Sequence, residues 1–433
     1  MKLVVLGNGF DLACGLPTSY PEFFKWRYSH IEQSKLDEID NLYTNFNHYK
    51  YNIGNSYSTP AINMKIEEQI KNTVKVFLDH DMSFWDVYFY LLKLEKSPIT
   101  NWCDVELQIE NAITDENGRA LIDKVFDYGI SKIKKAIELR LQSISSGVTV
   151  FNLSNHSSYY ESANYAKETI LGIFLELKYP NGFDETFEYD YYLLKELNKF
   201  ENSFKLYLEQ VVLPLFENPY WFEFSDIYIN NFKDICGEGE NFFLINFNYT
   251  RINKPIEEVI TMRNCGNGSG LPNTPNTVIE NNVHGSYKTF PIFGLDNNKF
   301  NPSSTKYMFT KTYRKLYIKK ERISANLPIE ADEIVFYGHS LSDADYSYFQ
   351  SLFDYYDLYH SKIKLTFKYS HYDEEKKDEI DKSQYFAVSK LIHTYGETMD
   401  NKDHGKNLLH KLLLENRLSI ETIDLKRLKI INN

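Results

Sequence analysis

The chain has 433 residues, 42% of them hydrophobic, which is enough for two or three packed units with a sizeable core and excludes a chain dominated by disorder. A formal net charge of −12 argues against an extended nucleic-acid surface, because phosphate contacts need clustered Lys and Arg. The 34 tyrosines and 30 phenylalanines are scattered and read as packing groups rather than as a base-stacking platform.

Cys14, Cys103, Cys236 and Cys265 lie far apart with no C-x-x-C pair, so the expectation is reduced thiols, with no disulfide framework and no zinc site. The N-terminus lacks a basic n-region, and Gly7 and Asp11 interrupt its apolar stretch. No run approaches the ~20 apolar residues of a membrane span. A soluble cytoplasmic protein without membrane contact is expected.

In chain order, Leu3–Leu6 is an apolar run of the kind buried on both faces of a parallel sheet. Gly7 and Gly9 follow; bare backbone there allows a sharp turn and lets a ligand phosphate approach the amides. As a dinucleotide fingerprint G-x-G is incomplete, because Leu12 stands where a third glycine belongs. Tyr20–Tyr28 reads as an aromatic helix with Phe23, Phe24 and Trp26 in a core, and 45–60 as a loop. From about residue 61 the period is helical: Ile66, Ile70, Val74 and Phe77 share a stripe, and Phe84–Leu94 is a second apolar segment. Trp102 followed by Asp104 and Glu106 reads first as a buried Trp with helix-start acids, and second as acids reaching into a cleft. Helical periodicity continues through 115–146, 159–177 and 187–216, until Pro219 and Trp221 break it.

Strand character resumes at Phe242–Phe247, which ends Asn246-Phe247-Asn248-Tyr249-Thr250. Beyond a Gly/Asn/Pro loop at 266–276 come Val278–Ile279, Val283-His284-Gly285-Ser286 and Phe290–Phe293. Lys311–Ala325 reads as a helix whose basic residues, Lys311 and Arg314, lie on a solvated face or else supply charge to a phosphate. Glu333–Tyr337 is a further strand, ending Gly338-His339-Ser340-Leu341-Ser342-Asp343-Ala344-Asp345. Lys362–Tyr369 alternates as a strand, 370–384 is charged and solvated, and Ser419–Leu425 reads as an edge strand. Four strand ends thus carry small or polar residues suited to a ligand, and ligands of parallel sheets collect where strands end.

The opening G-N-G-F-D-L-A-x-G-L-P-T-S-Y resembles the start of the AbiH family of bacterial abortive-infection proteins, and more distantly the sirtuin loop G-A-G-I-S-x-A-x-G-I-P-D-F-R. Asp11 stands on the sirtuin serine and Tyr20 on its arginine. The F-N-Y-T segment ending at Thr250 resembles its AbiH counterpart and the sirtuin T-Q-N-I-D, with Asn248 on the shared asparagine and Thr250 on the aspartate. His284-Gly285-Ser286 falls on the sirtuin H-G-S, and Gly338-x-Ser340-Leu341 on its G-x-S-L.

The resemblance implies an α/β fold, a sirtuin-like Rossmann-type parallel sheet formed by 1–60 and 221–433, with 61–220 as a mostly helical insertion. It implies an anti-phage protein that hydrolyses NAD to nicotinamide and ADP-ribose, with Asn248 and His284 as catalytic residues. Substrate-binding residues on the same ground are Gly7, Asn8, Gly9, Phe10, Asp11, Thr18, Tyr20, Asn246, Tyr249, Thr250, Gly285, Gly338, Ser340 and Asp343. NAD enters as substrate and no other cofactor is implied. Sirtuin deacylases carry a zinc module with paired cysteines after H-G-S, and no cysteine follows Cys265 here. A homo-oligomer and a phage component as trigger are further implications. Two other readings stand beside this one: a non-catalytic module that binds NAD or ADP-ribose, and an RNA-directed toxin.

Overall fold

A computed structural model describes residues 2–45, 60–95, 102–114, 125, 165–180, 188–217, 222–237, 241–254, 256, 277–317 and 326–427. The expected loops at 45–60 and 266–276, the helical stretch 115–146 and the break at Pro219 and Trp221 lie outside them, wholly or nearly so.

The strands are β1 (Lys2–Leu6), β2 (Asn241–Asn246), β3 (Thr277–Asn282), β4 (Glu333–Tyr337), β5 (Lys364–Tyr369) and β6 (Leu418–Thr422). Between β1 and β2 lie helices α1 (Gly9–Cys14), α2 (Tyr20–Tyr28), α3 (Gln33–Thr44), α4 (Pro60–Asp79), α5 (Phe84–Leu94), α6 (Trp102–Ile113), α7 (Tyr165–Lys178), α8 (Tyr189–Tyr207), α9 (Pro214–Glu217) and α10 (Phe222–Cys236). After β3 come α11 (Lys311–Tyr317), α12 (Tyr346–Tyr355), α13 (Lys377–Thr398), α14 (Lys402–Lys406) and α15 (Leu408–Leu414).

The chain divides into two compact units, one of residues 1–23 and 201–433, the other of residues 24–200. The first holds a six-stranded, all-parallel sheet in the order β3-β2-β1-β4-β5-β6. Strands β1, β2 and β4 alternate between two covered faces, which is why they read as continuous apolar runs. On one face Leu3, Val5, Phe243, Phe336 and Phe367 pack with Phe349 and Phe353 of α12, Leu391 and Ile392 of α13, and Leu408 and Leu412 of α15. On the other, Val4, Leu6, Leu244 and Val335 are equally buried. There Phe10 of α1 lies 4.8 Å from the Tyr228 ring of α10 and 6.5 Å from that of Tyr337.

The second unit contains helices and no strand among its described residues. α5 is buried from Phe84 to Leu92, and a capping box of Ser83 and Asp86 fixes its start. Asp86 also holds the Arg27 guanidinium through two contacts of 2.9 Å. This unit begins at Phe24, earlier than the 61 expected from periodicity, because Leu36, Ile39 and Leu42 of α3 bury a stripe against α4 and α5. Phe290–Phe293 is extended chain outside any strand, and α13 begins inside the segment expected to be merely charged and solvated.

Candidate functional site

In an open parallel sheet, ligands bind outside the carboxyl ends of the strands, where the strand order reverses. Here that point lies between β1 and β4. The two turns that leave these strands pack backbone on backbone. A Cβ on Gly7 would come within 2.5 Å of the Gly338 carbonyl oxygen, and one on Gly338, at φ +70°, within 2.5 Å of the Phe10 nitrogen. Gly7 donates its N–H to Tyr337 O at 2.9 Å and Gly9 to Gly338 O at 2.8 Å. These glycines therefore weld β1 to β4. The expectation that their amides cradle a phosphate is corrected for Gly7 and Gly9, whose N–H groups are spent inside the protein.

Next to this weld, α1 carries Asp11, whose buried carboxylate accepts hydrogen bonds from Thr250 Oγ1 at 2.6 Å and Tyr228 OH at 3.1 Å. Burial pushes the Asp11 carboxyl up to about 7, against the two hydroxyl donors, which pull it down. Beyond Thr250, Glu280 of β3 accepts from Asn246 Nδ2 at 2.7 Å and from the Ile252 and Asn253 amides at 3.0 and 3.2 Å. Burial raises the Glu280 carboxyl as well. This network fixes the loop after β2 and uses up the side chain of Asn246, whose Oδ1 takes the Asn248 N–H at 2.9 Å.

A second network centres on Asp345, in the turn after β4. Its Oδ1 lies 2.7 Å from Lys311 Nζ and 2.9 Å from His284 Nε2, and its Oδ2 lies 3.2 Å from His339 Nε2. All four side chains are almost wholly buried. Burial opposes ionisation of Asp345, but Lys311 and the two histidines outweigh it and hold the carboxyl well below its ordinary range. Burial, with help from Lys311, pushes His284 down to about 4, so its imidazole is neutral near pH 7. The approach of His284 to Asp345 is close without the alignment of a full hydrogen bond.

The Asn248 carboxamide stands apart from both networks, though its backbone N–H joins the first. Its side chain is 1% exposed, yet neither Oδ1 nor Nδ2 has a hydrogen-bond partner among the described residues. Such a group costs roughly 1–3 kcal/mol when left unmet. Thr18 Oγ1 is buried and unpaired in the same way. An aromatic wall joins neighbouring residues: Tyr20 to Phe293 at 6.0 Å, Phe293 to Tyr249 at 5.4 Å, and Tyr249 to the His284 ring at 6.3 Å.

A family model described as bacteriophage abortive infection AbiH matches residues 3–369. The chain belongs to the AbiH family. The match takes in both networks and Asn248, and it ends at Tyr369, the last residue of β5. No curated protein and no solved structure matches the chain. Among the described residues no helix is long and apolar enough to cross a membrane, and no group of His, Cys, Asp and Glu could hold a metal ion.

The AbiH strand ends bring some of the expected residues together and not others. Tyr20, Tyr249 and His284 share the aromatic wall, though Tyr249 OH donates to Ile292 O at 3.0 Å, and Thr18 and Asn248 adjoin it only along the chain. Asn8 Nδ2 donates to Thr18 O at 3.2 Å, and Phe10 is fully buried in the sheet-facing core. Thr250 and Asn246 spend their side chains on protein partners. Gly285, at φ +76°, serves the turn: a Cβ there would meet Phe290 O at 2.0 Å. Ser340 is exposed, and Asp343 is 66% exposed and paired with Lys390 at 2.8 Å, so it turns away from the site. Lys311 and Arg314 are buried, on Asp345 and Glu201, instead of forming a solvated face. Asp104 and Glu106 lie on α6 of the second unit. The sequence places Asp345 only among the small and polar residues that follow Glu333–Tyr337. Its role as hub depends on Leu341, whose φ of +55° bends the turn and which no sequence pattern announces.

Proposed function

We propose that this AbiH-family protein acts in phage abortive infection by hydrolysing NAD at a Rossmann-type, sirtuin-like nucleotide site on the carboxyl edge of its sheet, releasing nicotinamide and ADP-ribose. The reading is carried by Asn248: a fully buried carboxamide with both its donor and its acceptor unmet is the signature of a polar ligand to come. The strand order 3-2-1-4-5-6 is the dinucleotide-binding order, which supports the same class of ligand.

The chemistry fits these groups. Breaking the bond between nicotinamide and ribose passes through an oxocarbenium-like state, and the leaving group, already cationic, needs no acid. The Asn248 carboxamide donates to a ribose hydroxyl and accepts from the attacking water. Neutral His284 is in the protonation state a base must have, and the negative charge of a bound diphosphate would raise its pKa toward the working range. The aromatic wall of Tyr20, Phe293 and Tyr249 excludes bulk water.

The test is free nicotinamide, followed after NAD is added to the purified protein with and without extracts of infected cells. Release that disappears in Asn248→Ala and His284→Ala supports the reading; full release in both variants sinks the site. A second reading, a module that binds NAD or ADP-ribose without cleaving it, is favoured by the spent amides of Gly7 and Gly9 and by the weak basicity of His284. It wins if NAD raises the melting temperature while no nicotinamide forms under any condition.

A further inference from the structure

Two histidines share the Asp345 carboxylate, and among the described residues only His284 keeps a ring nitrogen, Nδ1, without a hydrogen bond. His339 accepts the Leu341 N–H on Nδ1 at 2.9 Å and faces Asp345 Oδ2 with Nε2, so both its nitrogens are spent. For His284 the carboxylate oxygen lies 2.9 Å from Nε2. Even off the ring's N–H axis, a bare lone pair on Nε2 at that distance would be repelled by the carboxylate charge, whereas an N–H is attracted. The proton of the neutral ring must therefore sit on Nε2, which leaves the basic lone pair on Nδ1.

We propose that Asp345 is the positioning residue of the site: it pins the His284 proton on Nε2 and so delivers Nδ1 as the group that meets the substrate. Lys311, bonded to Oδ1 at 2.7 Å and to Ala344 O at 3.2 Å, keeps the carboxylate ionised and in place. The left-handed Leu341 residue, buried at the turn, aligns His339 and Asp345 in one stroke, since its N–H is the one His339 accepts. The imperfect alignment of His284 leaves room for that contact to tighten when ligand binds, as hydrogen bonds at reacting sites often do. A carboxylate that orients an imidazole and fixes its tautomer recurs on unrelated folds because the chemistry asks for it.

This inference rests on the assignment of His284 as the base, and its test separates the two. In the full-length chain labelled with 15N-histidine, the two-bond 1H–15N spectrum, assigned with His284→Gln, should show His284 as the neutral Nε2–H tautomer from pH 8 to pH 5. Asp345→Asn should mix in the Nδ1–H tautomer and lower kcat for nicotinamide release about 100-fold, with KM changed less than about threefold. Asp345→Asn leaves Lys311 buried without its acid, so Asp345→Asn/Lys311→Met serves as the charge-balanced companion should the single variant fail to fold. An Nδ1–H tautomer in the wild type, or an unchanged tautomer in the folded variants, overturns the role of Asp345. If the tautomer shifts as expected while the wild type releases no nicotinamide, Asp345 keeps its role and the reading of NAD hydrolysis falls.

Discussion

The two walls of the sheet's carboxyl edge are built on opposite rules. At the β1–β4 wall, glycines let two turns touch, and the amides of Gly7 and Gly9 find carbonyl partners across the contact. At the β2–β3 wall, the buried Asn248 carboxamide has no hydrogen-bond partner among the described residues, and His284 makes a close but unaligned approach to its acid. One wall is closed by backbone hydrogen bonds, and the other keeps a carboxamide without such bonds among the described residues. A glycine motif after a first strand is thus no proof of a phosphate cradle; hydrogen-bond accounting tells a weld from a binding surface.

The largest test of that contrast falls on the welded wall. Gly338→Ala forces a left-handed residue to carry a Cβ into backbone at 2.5 Å, with no flexible side chain to yield. Destabilisation by about 3 kcal/mol or more is expected in urea unfolding, whether or not NAD is present. On the open wall the expectation reverses. Asn248→Ala should hold or raise stability by up to about 1 kcal/mol, since it removes an unmet polar group, while NAD-dependent activity falls at least 100-fold. A loss of stability equal to that of Gly338→Ala would erase the distinction between the walls.

The pH dependence of stability sharpens it further. Asp11 titrates near 7 in the fold against an ordinary 3.8, so its contribution is present in full below pH 3.8 and is lost as pH rises toward 7. His284 titrates near 4 against 6.5, so its contribution is present above pH 6.5 and is lost as pH falls toward 4. The two slopes oppose each other between about pH 4 and 6.5 and largely cancel in the wild type. Asp11→Asn should uncover an acid-side loss on the order of 1–3 kcal/mol in chemical denaturation at pH 4.5 against pH 6.5. A flat profile in that variant would mean that His284 is not held neutral by burial. The smallest effect belongs to Asp343→Ala, which removes an exposed pair with Lys390 and should change stability by less than about 0.5 kcal/mol and activity not at all.

Asp11 of the first glycine turn and Thr250 after β2 gain a physical meaning once the fold is known. Their side chains lie 2.6 Å apart in one buried hydrogen bond. In the sequence they stand 239 residues apart and look unrelated.

What the amino-acid order determined by itself is local. Apolar runs such as Leu3–Leu6 and Phe242–Ile245 marked strands because burial on both faces leaves no polar alternation. The residues after them read as ligand-facing ends, because small and polar side chains at strand ends suit a ligand better than a core. The helical period placed α4 and α5, whose stripes repeat regularly enough to read. It missed α13, whose charged, exposed faces hide the buried Val388, Leu391, Ile392 and Tyr395. Only tertiary structure decided the strand order, the closure of β1 on β4 through glycines, the burial of Lys311, and the gathering of two histidines on Asp345. Each depends on partners far along the chain, and pairing and desolvation belong to the surroundings that the fold supplies.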